Sequence, residues 1–176
     1  IASLLFFFAV KVRIYDDVWT RRDVLLRSLM PYDATEFLKK RLGSRPENIL
    51  NEFNWGGYLN WKLPDQLVYL DGRGTATWLD PRDAKSTMLE KYVALRYDPG
   101  GLEKVENENF NYVLLRDWRV FTYARPNWIN RIIFAEELEM LANPEITELE
   151  KDLHNSKNWQ LIYSDGFANI WERKKL

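Results

Sequence analysis

Three short apolar runs follow one another along the first two thirds of the chain. They read NILNEF at residues 48–53, QLVYL at 66–70 and YVLL at 112–115. Apolar runs of this length, bounded by turn-forming residues, are typical of buried strands. Because helical patterns separate these runs, the order strand, helix, strand, helix, strand predicts a small, mostly parallel sheet flanked by helices. The predicted fold class is therefore α/β.

The helix signals are local capping and stop residues. Asp33 is placed to cap a helix that ends at Gly43, and Asp80, followed by a proline, is placed to open a second helix that continues to Tyr97. A short helix is predicted at 102–108, directly before the third apolar run. These signals supply the connections that parallel strands require.

The end of the chain predicts a β-hairpin. Residues 159–164 (WQLIYS) and 167–173 (FANIWER) flank an Asp-Gly pair, the dipeptide that two-residue hairpin turns prefer. The stretch 118–156 is less regular and is interpreted as a helical insertion, with helices predicted at 127–142 and 144–153.

The first ten residues, IASLLFFFAV, carry no charge before Lys11 and Arg13. A helix of ten residues rises about 15 Å, half of a hydrocarbon core of about 30 Å. We interpret residues 1–15 as the end of a transmembrane helix and 16–30 as a linker segment. The alternative is that the apolar run is a buried strand or helix of the core.

The composition excludes several classes of function. A net charge of −1 lacks the basic excess of a nucleic-acid binder, so no nucleic-acid partner is predicted. The absence of cysteine removes thiolate catalysis and sulfur-ligated metals, and a single histidine, His154, excludes a histidine-rich zinc site. There is no Gly-x-Ser-x-Gly elbow, and Thr77 stands where a dinucleotide fingerprint needs its third glycine. No catalytic residue, metal or cofactor is predicted.

The first candidate site comprises Trp55, Gly56, Gly57 and Tyr58, directly after a predicted strand. Ligands bind open parallel sheets at the carboxyl ends of the strands. Glycines allow a close approach to the backbone, and an indole beside a phenol offers a surface suited to a sugar ring. The alternative is that both aromatic side chains fill the core beneath a turn whose glycines adopt positive φ.

The second candidate site follows the next strand and comprises Asp71 and Arg73. Asp71 is placed to orient the guanidinium of Arg73, which then meets a phosphate or carboxylate of a ligand. The alternative is a structural ion pair that locks the turn. The substrate-binding candidates are thus Trp55, Gly56, Gly57, Tyr58, Asp71 and Arg73.

Several segments together resemble the C-terminal extracytoplasmic domain of multi-spanning bacterial and archaeal membrane glycosyltransferases, the group that contains the dolichyl-phosphate-mannose-protein mannosyltransferases. The segments read PYDA, NEFNWGGYLNWKLPD, LVYLDGRG, FNYVLLRD and NWQLIYSDGFANIWER, within residues 31–117 and 157–173. The resemblance implies that residues 31–176 form an extracytoplasmic domain. It also implies that the catalytic carboxylates belong to a membrane region outside these residues.

A more distant likeness is to the catalytic subunit of oligosaccharyltransferases, in which a Trp-Trp-Asp-Tyr-Gly element helps to bind the acceptor peptide. The corresponding stretch here reads NWGGY at 54–58 and lacks the acidic residue. Together the resemblances imply a membrane location, with a domain that assists the binding of a lipid-linked sugar or its acceptor and is not catalytic by itself. The alternative is a non-enzymatic, membrane-anchored interaction subunit that contacts other subunits of a larger complex.

Overall fold

The computed structural model describes residues 29–72, 79–80, 85–117 and 146–174. In these residues a five-stranded sheet carries helices on both faces. Its strands are β1 (Asn48–Asn51), β2 (Leu67–Val68), β3 (Tyr112–Arg116), β4 (Trp159–Ser164) and β5 (Ala168–Arg173). The helices are α1 (Tyr32–Leu42), α2 (Gly56–Lys62), α3 (Met88–Tyr97), α4 (Gly101–Asn107) and α5 (Glu148–Asn155), and a 3-10 turn (Phe53–Trp55) precedes α2.

The sheet is mixed, with strand order β2-β1-β3-β5-β4. Strand β1 pairs in parallel with β2 and β3, whereas β5 is antiparallel to both β3 and β4. The α/β class is confirmed and the C-terminal hairpin is present, but the prediction of a mostly parallel sheet is wrong. The hairpin joins the sheet through β5, and the period of apolar residues does not say which strand of a hairpin will pair with β3.

Two apolar layers hold the helices on the sheet. On one face, α1 and α2 pack over the sheet with buried residues that include Leu38, Trp55 and Leu59. On the other face, α3, α4 and α5 pack with residues that include Val105 and Leu153. Successive residues of β1 and β3 belong to opposite layers, as the alternation of side chains along a strand requires.

The helix starts differ from those predicted. Helix α3 begins at Met88 behind Thr87, whose hydroxyl accepts a hydrogen bond from the Glu90 amide while the Glu90 carboxylate caps the Thr87 amide. The predicted start at Asp80 is therefore wrong, because the helix starts at a capping box whose Thr87 lies seven residues after Asp80. In α1 the cap position is Pro31 and not Asp33.

The hairpin turn is longer than the predicted two residues. Strand β4 ends at Ser164 and β5 begins at Ala168, so three residues form the loop. The Asp165 carboxylate accepts hydrogen bonds from the amides of Phe167 and Ala168, both at 2.8 Å. Gly166 adopts φ +81°, the left-handed conformation that glycine tolerates.

Some predicted features lie outside the described residues. They are the transmembrane segment at 1–15, residues 16–28 of the linker predicted at 16–30, the predicted helix at 127–142 and Arg73. The second predicted helix of the insertion appears as α5, which begins behind a capping box of Thr147 and Glu150. Of the helices that the structure describes, none is both long and apolar enough to cross a membrane.

Candidate functional site

The carboxyl ends of β1, β2 and β3 meet at one edge of the sheet because these three strands are parallel. Glu52 follows β1, Asp71 comes shortly after β2, and Arg116 is the last residue of β3. We call this edge the site edge, defined by Glu52, Trp55, Asp71 and Arg116. It contains Trp55 and Asp71, one described residue from each of the two groups that the sequence proposes for binding.

A buried asparagine joins the strand ends. The side-chain nitrogen of Asn51 donates to the Leu70 carbonyl at 2.8 Å, and its side-chain oxygen accepts from the Leu70 backbone amide at 3.2 Å. The side chain thereby extends the pairing of β1 and β2 beyond the last backbone rung. Because Asn51 has no exposed surface, these bonds are shielded from water. They fix the position of Asp71, the next residue after Leu70.

Gly56 lets α2 start directly against the end of β2. A Cβ atom at this position would lie 2.0 Å from the Leu70 carbonyl oxygen and 2.6 Å from Cα of Asp71. The φ of Gly56 is −55°, an ordinary helical value. The expectation of a turn with positive φ is therefore wrong, and Gly56 serves close packing instead. Gly57, in the same first turn, is half-buried.

Asp71 is held in place from α2. It is 8% exposed, and its carboxylate accepts a hydrogen bond of 2.9 Å from the Asn60 side-chain amide. Asn60 lies one turn after Gly56 in α2. Because Gly56 lets α2 pack against the end of β2, it also helps Asn60 to orient Asp71. The pairing of Asp71 with Arg73 stays a prediction, since Arg73 is outside the described residues.

Trp55 lies in the core of the described residues, with no exposed surface. Its indole stacks on the ring of Phe167 with centroids 5.6 Å apart, and its N–H donates to the Leu29 carbonyl at 3.2 Å. This burial agrees with the core interpretation of the aromatic pair. Tyr58 is half-buried and meets Trp61 edge-on at 6.2 Å. Contact of either residue with a ligand stays a prediction.

Arg116 adds a cation to the site edge that the sequence interpretation missed. Its guanidinium carbon lies 5.4 Å from the Trp55 ring and 5.2 Å from the Phe167 ring. Burial lowers the pKa of Arg116, although the nearby Glu52 carboxylate opposes this effect. The available signal was its place at the end of the third predicted strand, the position that also singled out Asp71.

A group of charged residues lies behind the edge, between the sheet and helices α3 and α5. Arg96 donates to the Glu52 carboxylate at 2.7 Å and to the Tyr92 hydroxyl at 2.9 Å, and its guanidinium is 3.8 Å from Glu150. We call Glu52, Tyr92, Arg96 and Glu150 the edge cluster. No local sequence pattern announces it, because its members come from three separate segments of the chain.

Burial dominates the electrostatics of the edge cluster. It raises the pKa of Tyr92 and the pKa of Glu150 above their ordinary values, against the opposing effect of Arg96. Burial alone would lower the pKa of Arg96, but its interactions with Tyr92 and Glu52 raise it on balance. Arg96 therefore stays charged and satisfies Glu52. Tyr92, Arg96 and Glu150 are buried, whereas Glu52, the member shared with the site edge, keeps 16% of its side chain exposed.

Binding of a ligand at the site edge stays a prediction. Its described charged groups are carboxylates, which accept hydrogen bonds from hydroxyl groups, and the Arg116 guanidinium, whose N–H groups match phosphate or carboxylate. Within residues 29–72, 79–80, 85–117 and 146–174, no three acidic or histidine side chains form a group that could hold a metal ion.

No protein-family model matches the sequence, and no curated protein matches it. The structure is similar to the crystal structure of the C-terminal globular domain of an oligosaccharyltransferase from Archaeoglobus fulgidus. The TM-score is 0.48 at 13% identity, and the match covers 81% of this chain and 95% of that chain. This likeness concerns the fold alone.

Proposed function

We propose that this chain is a non-catalytic, extracytoplasmic domain of a membrane glycosyltransferase, of the kind that contains the dolichyl-phosphate-mannose-protein mannosyltransferases. Its site edge assists the binding of a lipid-linked sugar or of the acceptor. The proposal is supported by the quoted sequence segments that resemble such domains and by the convergence of three strand ends on one edge. The chemical step belongs to another region of the parent protein.

The observation that carries the proposal is the hydrogen bond from the Trp55 indole to the Leu29 carbonyl. It ties the first described residue to the site edge. The described residues therefore begin at Leu29, beside this edge. In the proposal, the apolar run at 1–10 lies in a bilayer and the site edge is turned toward it, where the phosphate and sugar of a lipid-linked donor are held.

The chemistry of the edge fits such a ligand. A lipid-linked sugar combines a phosphate with several hydroxyl groups, so it requires a cation and carboxylate acceptors. In the proposal, Arg73 and Arg116 contact the phosphate and Asp71 accepts from sugar hydroxyls. Trp55 shapes the edge from below, and Tyr58 is the aromatic residue of the predicted site that retains exposed surface.

Binding by the whole chain tests the proposal. The 176-residue chain is titrated with detergent micelles that contain a short-chain prenyl-phosphate mannose. We expect Arg73→Gln to weaken binding about tenfold, because a hydrogen bond to a charged group is lost. Arg45→Gln, an exposed arginine near the opposite edge, is the matched control and is expected to leave binding unchanged. Equal affinities of both variants and the parent chain would contradict the proposal.

The interaction-subunit alternative has its own support in the sheet. Leu67 on the edge strand β2 is 61% exposed, and Leu161 on the edge strand β4 also has exposed surface. Exposed apolar strand edges are where partner chains pair. Mass measurement of the intact native complex separates the two functions, because a stoichiometric set of other proteins favours the subunit. Upstream coding sequence with several apolar stretches of about 20 residues favours the glycosyltransferase.

A further inference from the structure

Trp61 is the most exposed large apolar side chain of the described residues, at 67%. It stands in an open groove of about 440 Å³ between the end of α1 and the loop that follows α2. The polar groups of this groove come from Lys39, Ser44, Lys62, Asp65 and Gln66. We call it the Trp61 groove. The Trp61 indole is exposed to water beside hydrogen-bond donors and acceptors. Because exposed aromatic surface is unfavourable in water, this arrangement indicates a surface that a ligand can cover.

We propose that the Trp61 groove binds a neutral sugar ring of a glycan, stacked on the indole of Trp61. The apolar face of a pyranose covers an aromatic ring, while its ring of hydroxyls needs donors and acceptors at the sides. Lys39 and Ser44 stand on one wall, and Asp65 stands on the other. The volume of the groove suits one or two sugar units, within the range of ordinary small-ligand sites.

The walls of the groove are fixed by hydrogen bonds. Gln66 is buried, its side-chain amide donates to the Gly43 carbonyl at 3.4 Å, and its side-chain oxygen accepts from the Glu47 amide at 3.0 Å. These bonds tie the loop after α2 to the loop after α1. Leu63 anchors the floor in the core. A groove that is formed before the ligand arrives avoids the entropic cost of ordering loops on binding.

The Trp61 ring is itself oriented by its neighbours. Tyr58 meets it edge-on at 6.2 Å, and the Lys62 ammonium lies 4.0 Å from the ring centre. Both contacts come from α2, the helix that carries Trp61, so the ring and its neighbours form one unit. A cation on a ring restricts its rotation.

The position of the groove argues against a membrane surface as its occupant. Gly43 and Ser44 come before β1, and Asp65 and Gln66 come before β2, so the groove lies at the amino ends of these strands. Leu29, the first described residue, lies at the opposite edge, beside Trp55. The lining also mixes both signs of charge, whereas surfaces that lie on anionic lipid are basic. The inference does not rest on the proposed function, because it needs none of the residues that define the site edge and shares only Tyr58 with the candidate binding residues.

Nuclear magnetic resonance of the whole chain tests the inference. The indole N–H signal of Trp61, assigned through Trp61→Phe, is followed while mannobiose or chitobiose is added. We expect saturable shifts of this signal, and we expect Trp61→Ala to weaken the binding about tenfold. Tyr97→Ala removes a ring that lies outside the groove and is 56% exposed, and it serves as the matched control with unchanged binding. Urea unfolding of Trp61→Ala confirms that the fold is intact.

Three results would overturn the inference. The first is the absence of saturable shifts with both sugars, and the second is unchanged affinity in a folded Trp61→Ala variant. The third is that Trp61 instead mediates another contact, seen as vesicle binding or as a dimer in light scattering that Trp61→Ala abolishes. Loss of prenyl-phosphate binding in Arg73→Gln with retained disaccharide binding would show that the two sites stand or fall separately.

Discussion

The edge cluster and the opposite edge of the sheet each hold an arginine paired with a glutamate, but the pKa values of the two glutamates shift in opposite directions. In the edge cluster, burial raises the pKa of Glu150, against the effects of Thr147 and Arg96. At the opposite edge, burial also acts to raise the pKa of Glu172, but hydrogen bonds from Arg41 and the Tyr112 hydroxyl lower it on balance. For Glu172, the hydrogen-bonding partners lower the pKa more than burial raises it. For Glu150, burial raises the pKa more than its partners lower it.

The difference lies in exposure and in the number of short bonds. The side chains of Arg96 and Glu150 are 7% and 3% exposed and 3.8 Å apart. Arg41 is 40% exposed and makes two hydrogen bonds to Glu172, which also accepts from the Tyr112 hydroxyl at 2.5 Å. In a buried ion pair, each charge needs its partner, because water does not solvate it. An exposed ion pair is screened by water and contributes little to folding stability. The edge cluster therefore depends on Arg96 far more than the opposite edge depends on Arg41.

Replacing each arginine by an apolar residue tests this difference and has the largest expected effect. Arg96→Met leaves the carboxylates of Glu52 and Glu150 buried without a cation, so we expect a loss of about 3–5 kcal/mol in the free energy of unfolding. Arg41→Met, the matched change at the opposite edge, is expected to cost about 0–1 kcal/mol. Urea unfolding of both variants measures the two values, and equal losses would break the comparison.

A glycine substitution tests the steric side of the site edge and has the next largest effect. Gly56→Ala places a methyl group 2.0 Å from the Leu70 carbonyl oxygen, so α2 must move away from β2. We expect a loss of about 1–3 kcal/mol in the free energy of unfolding. In Gly72→Ala the nearest atoms are 3.8 Å away on the Phe53 ring, and the expected change is below about 0.5 kcal/mol.

The thermal midpoints of the two glycine variants check this expectation. If Gly56→Ala unfolded at the same temperature as Gly72→Ala and the parent chain, close packing at the start of α2 would not define the site edge. The indole signal of Trp55 reports the same event, because movement of α2 alters its contact with Phe167.

The pH dependence of stability has the smallest expected effect. Its direction is expected to be opposite for Glu150 and Glu172. The native pKa of Glu150 is raised above the ordinary 4.5. Its contribution to the free energy of unfolding is therefore fully present below pH 4.5 and is lost as pH rises through the native pKa. The native pKa of Glu172 is lowered, so its contribution is present above 4.5 and is lost as pH falls. Glu150→Gln should flatten the first dependence and Glu172→Gln the second. Urea midpoints across the acid and neutral range measure both slopes, and slopes of the same sign would refute the assignment.

Local sequence patterns identified the strands and the end of the chain. The runs around Ile49, Val68 and Val113 became the parallel part of the sheet, since short apolar runs have few other ways to be buried. The Asp165 turn produced the C-terminal hairpin. The start of α3 was missed because Thr87 with Glu90 forms a stronger cap than Asp80 with its proline.

The candidate site was only partly readable. Asp71 was found from its place after a strand, and that rule extends to Arg116 at the end of β3. The edge cluster was not found, because Glu52, Arg96 and Glu150 are far apart in sequence and meet only when two helices cover the sheet. No periodicity encodes such a meeting.

The sequence by itself determined that the chain forms an α/β sheet with a terminal hairpin and places polar residues after its strands, because burial of short apolar runs and turn chemistry are local effects. Only the tertiary structure decided that the sheet is mixed, that Trp55 is buried while Trp61 is exposed, and that Glu150 and Glu172 shift in opposite directions. The physical reason is that strand pairing, exposure and desolvation are set by residues distant in the chain. They come together only in the folded protein.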